Sequence, residues 1–391
     1  MQGMKALPFE EKLLAWIREH LDTLFLILMA ILAAAIRFYG KDMLGGDMRD
    51  YFIPWHDTFS ASGFSGLKEQ VGDYNIPFQI LVWIMTLIPM NAMYKYKLLA
   101  CCFDYLTAFT GRHLIRKATG NKGLANGACI ALLFLPEVVF NSAYLGQCDA
   151  MWTSFVLLGL AFLMKDKILP CFLCLGIAFS FKLQFVFILP VFVFAYVCGK
   201  RFSVFSFLLI PLTLMAMCIP AYIASRPLAD CFGMYFFQVY QYHDMSLGFP
   251  SFWTLIGLTE FNLFYKFAIL FTVAVLGCLL YLSMKKDIDM HDPKMILTIA
   301  ALTSWTCVLF LPDMHERYGY LADILLILLC FANRKYAPWA IVPAITSACV
   351  YFAHYQNMNM QVMALFYFLA YVVCIVFFIR SLKRKEEVHS A

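Results

Sequence analysis

Apolar segments long enough to cross a bilayer recur along nearly the whole of this 391-residue chain. The first, Leu21 to Gly40, carries charge only at Asp22 and Arg37, and about 20 such residues form a helix that spans a hydrocarbon core of roughly 30 Å. With 62% hydrophobic residues and a mean hydropathy of +0.74, the composition excludes a soluble domain. No polar stretch between these segments reaches the ~50 residues of a small domain. We therefore predict an all-α polytopic membrane protein, with residues 1–391 in a single membrane domain.

The composition also excludes several functional classes. The formal net charge of +5 comes from short basic loops, and the chain carries no nucleic-acid-binding motif. The 14 cysteines lie mostly within apolar segments, where a free thiol packs as a small hydrophobic group. No closely spaced cysteine pair lies beside a histidine cluster, so the sequence predicts neither a zinc site nor a disulfide framework. We predict membrane lipid as a partner and no nucleic acid.

Short loops rich in lysine and arginine indicate which end of each segment faces the cytoplasm. The N-terminus is placed there by its basic residues Lys5, Lys12 and Arg18. If Ile76–Met93 crossed the bilayer, the basic loop Arg112–Lys122 would lie outside, and every later loop would be inverted. We therefore interpret Ile76–Met93 as an interfacial or re-entrant helix of an outer loop, residues 41–97. The remaining segments then make about 12 crossings, with both termini in the cytoplasm.

The first outer loop concentrates carboxylates directly after the first crossing. Residues 45–57 read Gly-Gly-Asp-Met-Arg-Asp-Tyr-Phe-Ile-Pro-Trp-His-Asp, with Asp47, Arg49 and Asp50 near their centre. A carboxylate pair where a helix leaves the membrane is a candidate for general base chemistry. The alternative is a solvated acidic loop in which Asp42 or Asp57 caps a short helix.

Under this topology, the other polar residues that are least typical of loops also meet on the external face. They follow several separate crossings and are Gln147, Asp149, Lys182, His315, Glu316 and Arg317. Ionisable groups at membrane depth are costly, so their presence indicates function. Such a set suits a site in which carboxylates activate an acceptor and cations hold a phosphate.

These residues also have structural interpretations. Asp149 could simply cap the helix that it begins, and Lys182 could extend along apolar surface to the interface. Glu316 could pair with Arg317 inside one turn. Asp104 lies within an apolar segment, where we predict a structural hydrogen bond between helices.

A series of short motifs follows the first-loop acid in a characteristic order. They are Asp-Tyr-Phe-Ile-Pro-Trp at 50–55, Gly-Asp-Tyr-Asn-Ile-Pro at 72–77, Gly-Gln-Cys-Asp-Ala at 146–150, Phe-Lys-Leu-Gln at 181–184 and Met-His-Glu-Arg-Tyr at 314–318. In this order they resemble the GT-C superfamily of membrane glycosyltransferases. The resemblance is strongest to bacterial proteins similar to the eukaryotic enzyme that adds the second mannose of the GPI anchor.

The resemblance implies a GT-C fold with residues 21–223 as the core module and juxtamembrane helices in the outer loop 41–97. Residues 224–391 would add variable helices that complete a donor groove. It also implies a polyprenyl-phosphate-linked sugar as donor, inversion at the anomeric carbon, and a first-loop acid as base. Asp47 matches that acid, Asp50 is a close second, and Asp149 matches the second-loop acid.

The remaining polar residues are assigned by the mechanism, in which the donor phosphate lies at headgroup depth beside the cations. The donor phosphate would be bound by Lys182, His315 and Arg317. Supporting positions would be Glu316, Arg49 and Gln147. Cations of the protein can stabilise a monophosphate leaving group, so no metal is required. With a diphosphate donor, Asp47 and Asp149 could instead share a divalent cation.

The sequence thus leads to one hypothesis and one rival. The hypothesis is transfer of a hexose, mannose in preference to glucose, to a glycolipid or cell-envelope glycan on the external face of the plasma membrane. The rival is a transporter, either a flippase for a lipid-linked sugar or a small-solute carrier. No internal duplication is visible, and the charges cluster at one membrane face, which favours the enzyme. An O-antigen-type ligase or polymerase would carry a very long outer loop rich in arginine and histidine.

Overall fold

The computed structural model describes residues 7–356 and 358–389, and 78% of the chain is helical. The predicted all-α class is therefore confirmed apart from one two-residue strand pair. Lys5, on which the topology prediction partly rests, lies outside the described residues.

The helices follow one another with short connections. They are α1 Pro8–Tyr39, α2 Ile53–Ser62, α3 Ile76–Thr86, α4 Ala92–Thr119, α5 Lys122–Phe134, α6 Pro136–Val139, α7 Asp149–Leu163, α8 Ile168–Phe181, α9 Leu189–Val197, α10 Leu209–Met217, α11 Ile219–Ile223, α12 Leu228–Tyr240, α13 Phe252–Leu255, α14 Phe261–Lys285, α15 Pro293–Phe310, α16 Tyr320–Ala332, α17 Ala337–Ala340, α18 Val342–Gln356 and α19 Met360–His389. Strands β1 Ser246–Leu247 and β2 Met314–His315 pair in parallel. Two π-helical segments, Met48–Phe52 and Phe140–Tyr144, and three 3₁₀ segments, Gly63–Lys68, Leu183–Ile188 and Val204–Leu208, complete the set.

Helical segments long and apolar enough to span a membrane occur along the described chain. By length and composition there are five of them, namely Pro8–Tyr39, Val204–Ile223, Phe261–Lys285, Pro293–Phe310 and Met360–Leu382. A sixth forms if Lys122–Phe134 and Pro136–Tyr144, which meet at 50°, are counted as one bent span. The bend falls at Pro136, which lacks the N–H that would continue the helix. These segments give the protein the character of a polytopic membrane protein.

Several predicted crossings form helices that are shorter than a bilayer core. The segments predicted at Ala150–Met164 and Ile168–Phe181 become the 15-residue α7 and the 14-residue α8, each roughly 22 Å long at 1.5 Å per residue. The predicted crossing Leu183–Cys198 is divided between a 3₁₀ segment and α9. Helix α7 is mostly buried among other helices, whereas α8 and α9 expose apolar side chains such as Leu169 and Val193. The count of about 12 crossings therefore stays a prediction.

The predicted outer loop contains helices of its own. After α1, the chain forms the π segment Met48–Phe52, then α2 and α3. Helix α3 has 11 residues, about 16 Å, which is too short to cross a bilayer alone. This length agrees with the interfacial interpretation of Ile76–Met93. The Phe52 ring packs against Tyr74, Phe78 and Tyr96, which ties this loop to the start of α4.

The core lies where α4, α7, α8, α15 and α16 meet. Helix α7 packs against α4 and α8, and α16 packs against α15 and α5. Every residue of α16 from Tyr320 to Leu329 is buried. Since the last turn of α8 and the first turn of α16 flank this core at one end, side chains from distant parts of the sequence meet there.

A buried ion pair joins α1 to the bundle. Arg37 Nε donates to Asp104 Oδ2 at 2.8 Å, and its Nη1 donates to the Leu133 carbonyl at 2.9 Å. The Ser142 hydroxyl donates to the same Asp104 oxygen. The predicted helix-to-helix role of Asp104 is therefore confirmed, with Arg37 and Ser142 as its partners.

Replacing Arg37 by methionine is expected to reduce the free energy of unfolding by about 3–5 kcal/mol, because it leaves the Asp104 carboxylate buried without its charge partner. Unfolding in detergent micelles would measure the loss. The double variant Arg37→Met/Asp104→Leu should recover most of it. As a matched control, Lys122→Met breaks the exposed pair with Asp22 and should cost no more than about 1 kcal/mol. Equal losses in Arg37→Met and Lys122→Met would contradict this account.

Candidate active site

A cluster of polar side chains lies at the end of the bundle that carries residues 41–97, between α1 and α4. It unites residues from four separate parts of the sequence, namely Asp47, the pair Gln147 and Asp149, Lys182 and the segment His315 to Arg317. The sequence predicted that these residues share one membrane face. Their direct contacts are described below, starting from the first loop.

Asp47 begins the π segment that follows α1. Its Oδ2 accepts a hydrogen bond from Gln147 Nε2 at 2.7 Å and lies 3.5 Å from Arg317 Nη1. The Asp47 side chain is 44% exposed. It is thus a carboxylate that is held on one oxygen and still open to an incoming molecule.

The turn at Gly146 places Gln147 beside Asp47. Gly146 has φ +70°, a backbone conformation that favours glycine, and a Cβ atom there would also push the end of the Met48 side chain aside. The N–H of Gln147 donates to the Asn141 carbonyl at 2.8 Å, which closes the π segment. The Tyr74 hydroxyl donates to Gln147 Oε1 at 3.4 Å and so orients the amide with its NH₂ toward Asp47. The Gly-Gln-Cys-Asp motif therefore has a geometric reason for its first two residues.

Asp149 has a carboxylate that is almost completely removed from water, with 2% of its side chain exposed. Lys182 Nζ donates to Oδ1, and Asn141 Nδ2 donates to Oδ2 at 3.0 Å. Arg317 Nε lies 3.9 Å from Oδ2. Asp149 is the first residue of α7 and makes no cap hydrogen bond, so the capping interpretation is wrong. With two cations bound, this carboxylate is a structural anchor for charge rather than a free base.

Lys182 ends α8 in an extended conformation, with φ −153° and ψ 137°. This break in the helix directs its side chain inward to Asp149, and only 6% of the side chain is exposed. Asn75 Nδ2 donates to the adjacent Phe181 carbonyl at 3.4 Å, which fixes the loop before α3 against the end of α8. Lys182 therefore does not extend to the interface as the structural alternative supposed.

The segment Met314–Arg317 is held by the short β pair. His315 lies opposite Leu247, and Gly248 also bridges to His315. Arg317 Nη1 donates to Glu316 Oε1 at 3.1 Å as well as facing Asp47. The self-paired turn thus exists, but Arg317 also spans the gap between Asp47 and Asp149. Burial alone would raise the pKa of Glu316, but the His315 hydrogen bond and the Arg317 charge outweigh it and lower the pKa.

The His315 ring lies between two tyrosines. It meets Tyr242 edge to face at 4.4 Å and Tyr318 at 4.9 Å between ring centroids. Its Nδ1 lies 3.6 Å from Glu316 Oε2, and its buried Nε2 has no hydrogen-bond partner in the described part of the chain. His315 therefore has one ring nitrogen oriented by the protein and one without a protein partner.

Two predicted site residues stay outside the cluster. Asp50 accepts two hydrogen bonds from its neighbour Arg49, at 2.7 and 2.9 Å, and both side chains are largely exposed. Within the described residues, neither Asp50 nor Arg49 contacts Asp149, Lys182 or Arg317. Asp47 is therefore the first-loop carboxylate that the cluster includes.

A divalent cation between Asp47 and Asp149 would meet an occupied position. The Arg317 guanidinium lies between the two carboxylates, so a metal ion would have to displace it. Among residues 7–356 and 358–389, no group of three or more His, Cys, Asp and Glu side chains lies close enough together to hold a metal.

Sequence reasoning missed two residues that orient the site. Tyr74 supports Gln147, and Asn141 supports Asp149. Tyr74 stands within the quoted Gly-Asp-Tyr-Asn motif, and Asn141 is a lone amide in an apolar segment. Both are polar groups whose burial demands a partner, and that is the signal that could have identified them.

No protein-family model matches this chain, and no curated protein is significantly similar to it. The class that fold and site define is therefore a nearly all-α protein with membrane-spanning helices and a cluster of paired carboxylates and cations at one end of its bundle.

The loop that leads into this segment allows a pH test. Asp313, at φ +59°, accepts from the Asp244 N–H at 3.2 Å, and burial raises its pKa to about 6 despite that bond and the nearby His243. A raised folded-state pKa stabilises the fold below about pH 4, and this contribution is lost as the pH rises through about 6. Asp313→Asn keeps the acceptor and tolerates positive φ. It should raise the melting temperature relative to wild type more at pH 7 than at pH 5.

Asp313→Ala is the matched control, since it has neither the acceptor nor the tolerance for positive φ and should lower the melting temperature at both pH values. A difference between Asp313→Asn and wild type that is equal at pH 5 and pH 7 would show that Asp313 does not titrate in this window.

Proposed function

We propose that this chain is an inverting glycosyltransferase that moves a hexose from a polyprenyl-phosphate donor to an acceptor hydroxyl. The observation that carries the proposal is the pairing of a half-exposed carboxylate, Asp47, with the Arg317 guanidinium. A base and an anion-binding group side by side are what in-line displacement of a phosphate leaving group requires. Mannose is the favoured sugar, and a glycolipid or cell-envelope glycan on the external face of the plasma membrane is the favoured acceptor.

Asp47 is the better base of the two first-loop acids. One of its oxygens is held by Gln147 and Arg317, and the side chain remains open to solvent. Asp50 is engaged on both oxygens by Arg49, which lowers its pKa and its basicity. In the reaction, Asp47 takes the proton of the acceptor hydroxyl while the acceptor oxygen bonds to C1 of the sugar. The bond from C1 to the phosphate oxygen breaks, and the polyprenyl phosphate leaves with the electron pair.

The leaving phosphate needs cations that can reach it. Lys182 is buried and bound to Asp149, so its charge acts through Asp149 and Arg317 rather than by contact. Arg317 is 21% exposed, and its Nη2 has no protein acceptor in the described part of the chain. The His315 Nε2 atom also lacks a protein partner. Arg317 and His315 are therefore the groups that we assign to the phosphate, with Lys182 holding Asp149 in place.

A long isoprenoid chain needs apolar surface next to these charges. Helix α12 lies beside the cluster, because the Tyr235 hydroxyl donates to the Ser180 carbonyl at 3.2 Å and Gln238 donates to the Asp73 carbonyl at 2.8 Å. The same helix exposes Phe236 and Phe237. Its 13 residues are predominantly apolar, with Asp230 and Gln238 as the strongly polar side chains. This surface is suited to the lipid part of the donor.

A transporter remains the second candidate because of one further observation. Glu137 and Asp323 are both completely buried within the bundle and interact with each other. Carboxyl groups at this depth are typical of proton relays in pumps and transporters. The structural alternative is that Asp323 only accepts the Ser347 hydroxyl hydrogen bond, which joins α16 to α18.

The test is sugar transfer in membranes that contain this chain, with polyprenyl-phosphate mannose, polyprenyl-phosphate glucose and the matching nucleotide sugars as donors. We expect turnover of a lipid-linked donor. Asp47→Asn, which keeps the shape but not the base, should lower kcat by about 10²–10⁴-fold. Asp50→Asn is the matched control and should keep near wild-type activity.

The outcomes separate the two candidates. If Asp50→Asn abolishes transfer and Asp47→Asn keeps it, the base is Asp50 and the assignment to Asp47 is wrong. No transfer from any donor, together with movement of a lipid-linked sugar across proteoliposomes that is lost in Glu137→Gln, would establish the transporter instead.

A further inference from the structure

An apolar groove separates part of α1 from the bundle, at the end opposite to the candidate active site. It has a volume of about 570 Å³ and is lined by α1 residues between Thr23 and Ala34 and by Tyr105, Phe109, Arg112 and Asn126. Volumes of this size are typical of sites for small molecules and lipid chains.

Helix α1 touches the bundle above and below this groove. On one side, beyond Ala34, Arg37 Nε donates to Asp104 Oδ2 at 2.8 Å. Within the groove, the Tyr105 hydroxyl donates to the Ala30 carbonyl at 2.7 Å, so Tyr105 forms part of its wall. On the other side, Asp22 lies 3.7 Å from Lys122. Between these contacts, Ile27 and Ile31 are 51% and 62% exposed, so the groove opens to the bilayer. Its occupant would therefore enter from lipid.

The length of the groove matches one leaflet. From Thr23 to Ala34 the helix rises about 16 Å at 1.5 Å per residue, which is close to half of a ~30 Å hydrocarbon core. A single lipid chain that runs from the headgroup region to the bilayer centre would fill this length.

The end of the groove that lies farther from the candidate active site is polar and positively charged. Arg112 Nε donates to Asn126 Oδ1 at 2.7 Å, and its other N–H groups have no acceptor in the described part of the chain. Arg116, Lys117 and Lys165 are exposed at the same end, whereas the nearby acid Asp22 is already paired with Lys122. This arrangement is complementary to a phosphate that carries net negative charge.

A second groove repeats the design on the other side of Phe109. It has a volume of about 290 Å³, with apolar walls from α4 and α7 and His113 and Lys165 at its polar end. Phe109 therefore separates two grooves that both have basic residues at one end.

We propose that the groove between α1, α4 and α5 binds an anionic phospholipid of the leaflet on the basic side of the protein. The phosphate contacts Arg112 and the Asn126 amide, and one acyl chain lies along α1 from Thr23 to Ala34. A zwitterionic lipid would bring its cationic group against Arg116 and Lys117, so the site selects net negative charge. The lipid fills the space that α1 leaves against the bundle and so supports the helix that leads to Asp47.

The test is lipid binding to the purified full-length chain by native mass spectrometry, with phosphatidylglycerol and phosphatidylcholine of the same acyl chains. We expect phosphatidylglycerol to bind preferentially. Arg112→Gln should weaken its binding about tenfold or more, because a charge-assisted contact to phosphate is lost. Lys285→Gln removes an equal charge at the exposed end of α14, which lines neither groove, and should change binding much less.

A second pair of variants tests the acyl chain separately from the fold. Ala34→Phe fills the groove from an exposed position of α1 and should reduce phosphatidylglycerol binding with Arg112 intact. Ala35→Phe, also exposed but outside the groove, is its control. Equal binding of the two lipids, equal loss in Arg112→Gln and Lys285→Gln, or a preference for a polyprenyl phosphate over phosphatidylglycerol would each overturn the proposal.

Discussion

The arrangement of this site depends on the burial of one carboxylate. Asp149 has only 2% of its side chain exposed, and a lone anion in such surroundings would be strongly unfavourable. Lys182, Arg317 and Asn141 all approach it, and each comes from a different helix or loop. Removing any one cation would leave uncompensated charge in the core. The carboxylate thus fixes the end of α8, the loop before α16 and the start of α7 relative to one another.

Arg317 links the buried Asp149 carboxylate to the exposed side of the site. It lies 3.9 Å from Asp149 on its Nε side and 3.5 Å from Asp47 on its Nη1 side. A planar guanidinium can hold two carboxylates in a defined direction, which a lysine cannot do. Gln147, presented by the glycine turn, provides the second contact to Asp47. The candidate base is therefore oriented by groups that are themselves held by the core, which reduces the reorganisation needed on substrate binding.

Several parts of this structure could be predicted from the sequence. Apolar segments predicted the helical class, because hydropathy acts over whole segments. The assignment of residues 41–97 to the external side stays a prediction. The meeting of Asp47, Asp149, Lys182 and Arg317 followed from placing their loops on one side. The resemblance to GT-C glycosyltransferases remains a prediction, because no comparison or activity tests it.

Other parts depend on local geometry that hydropathy does not encode. The π-helical segment Met48–Phe52 widens the turn after Asp47, and Asp50 pairs with Arg49 instead of joining the site. Helices α7 and α8 match the predicted segments to within one residue, but with 15 and 14 residues they are shorter than a bilayer core. Tyr74 escaped notice because its hydrogen bond links residues 73 positions apart in sequence. Asn141 escaped notice because an apolar segment does not indicate which way a lone amide side chain faces.

The most direct test of the central claim is a structure of the chain with a polyprenyl phosphonomannose, in which a methylene group replaces the glycosidic oxygen. The account predicts the phosphonate within hydrogen-bonding distance, about 3 Å, of Arg317, and the face of C1 opposite the phosphonate turned toward Asp47. A phosphonate bound away from Arg317, or a sugar whose C1 faces Asp50, would contradict it.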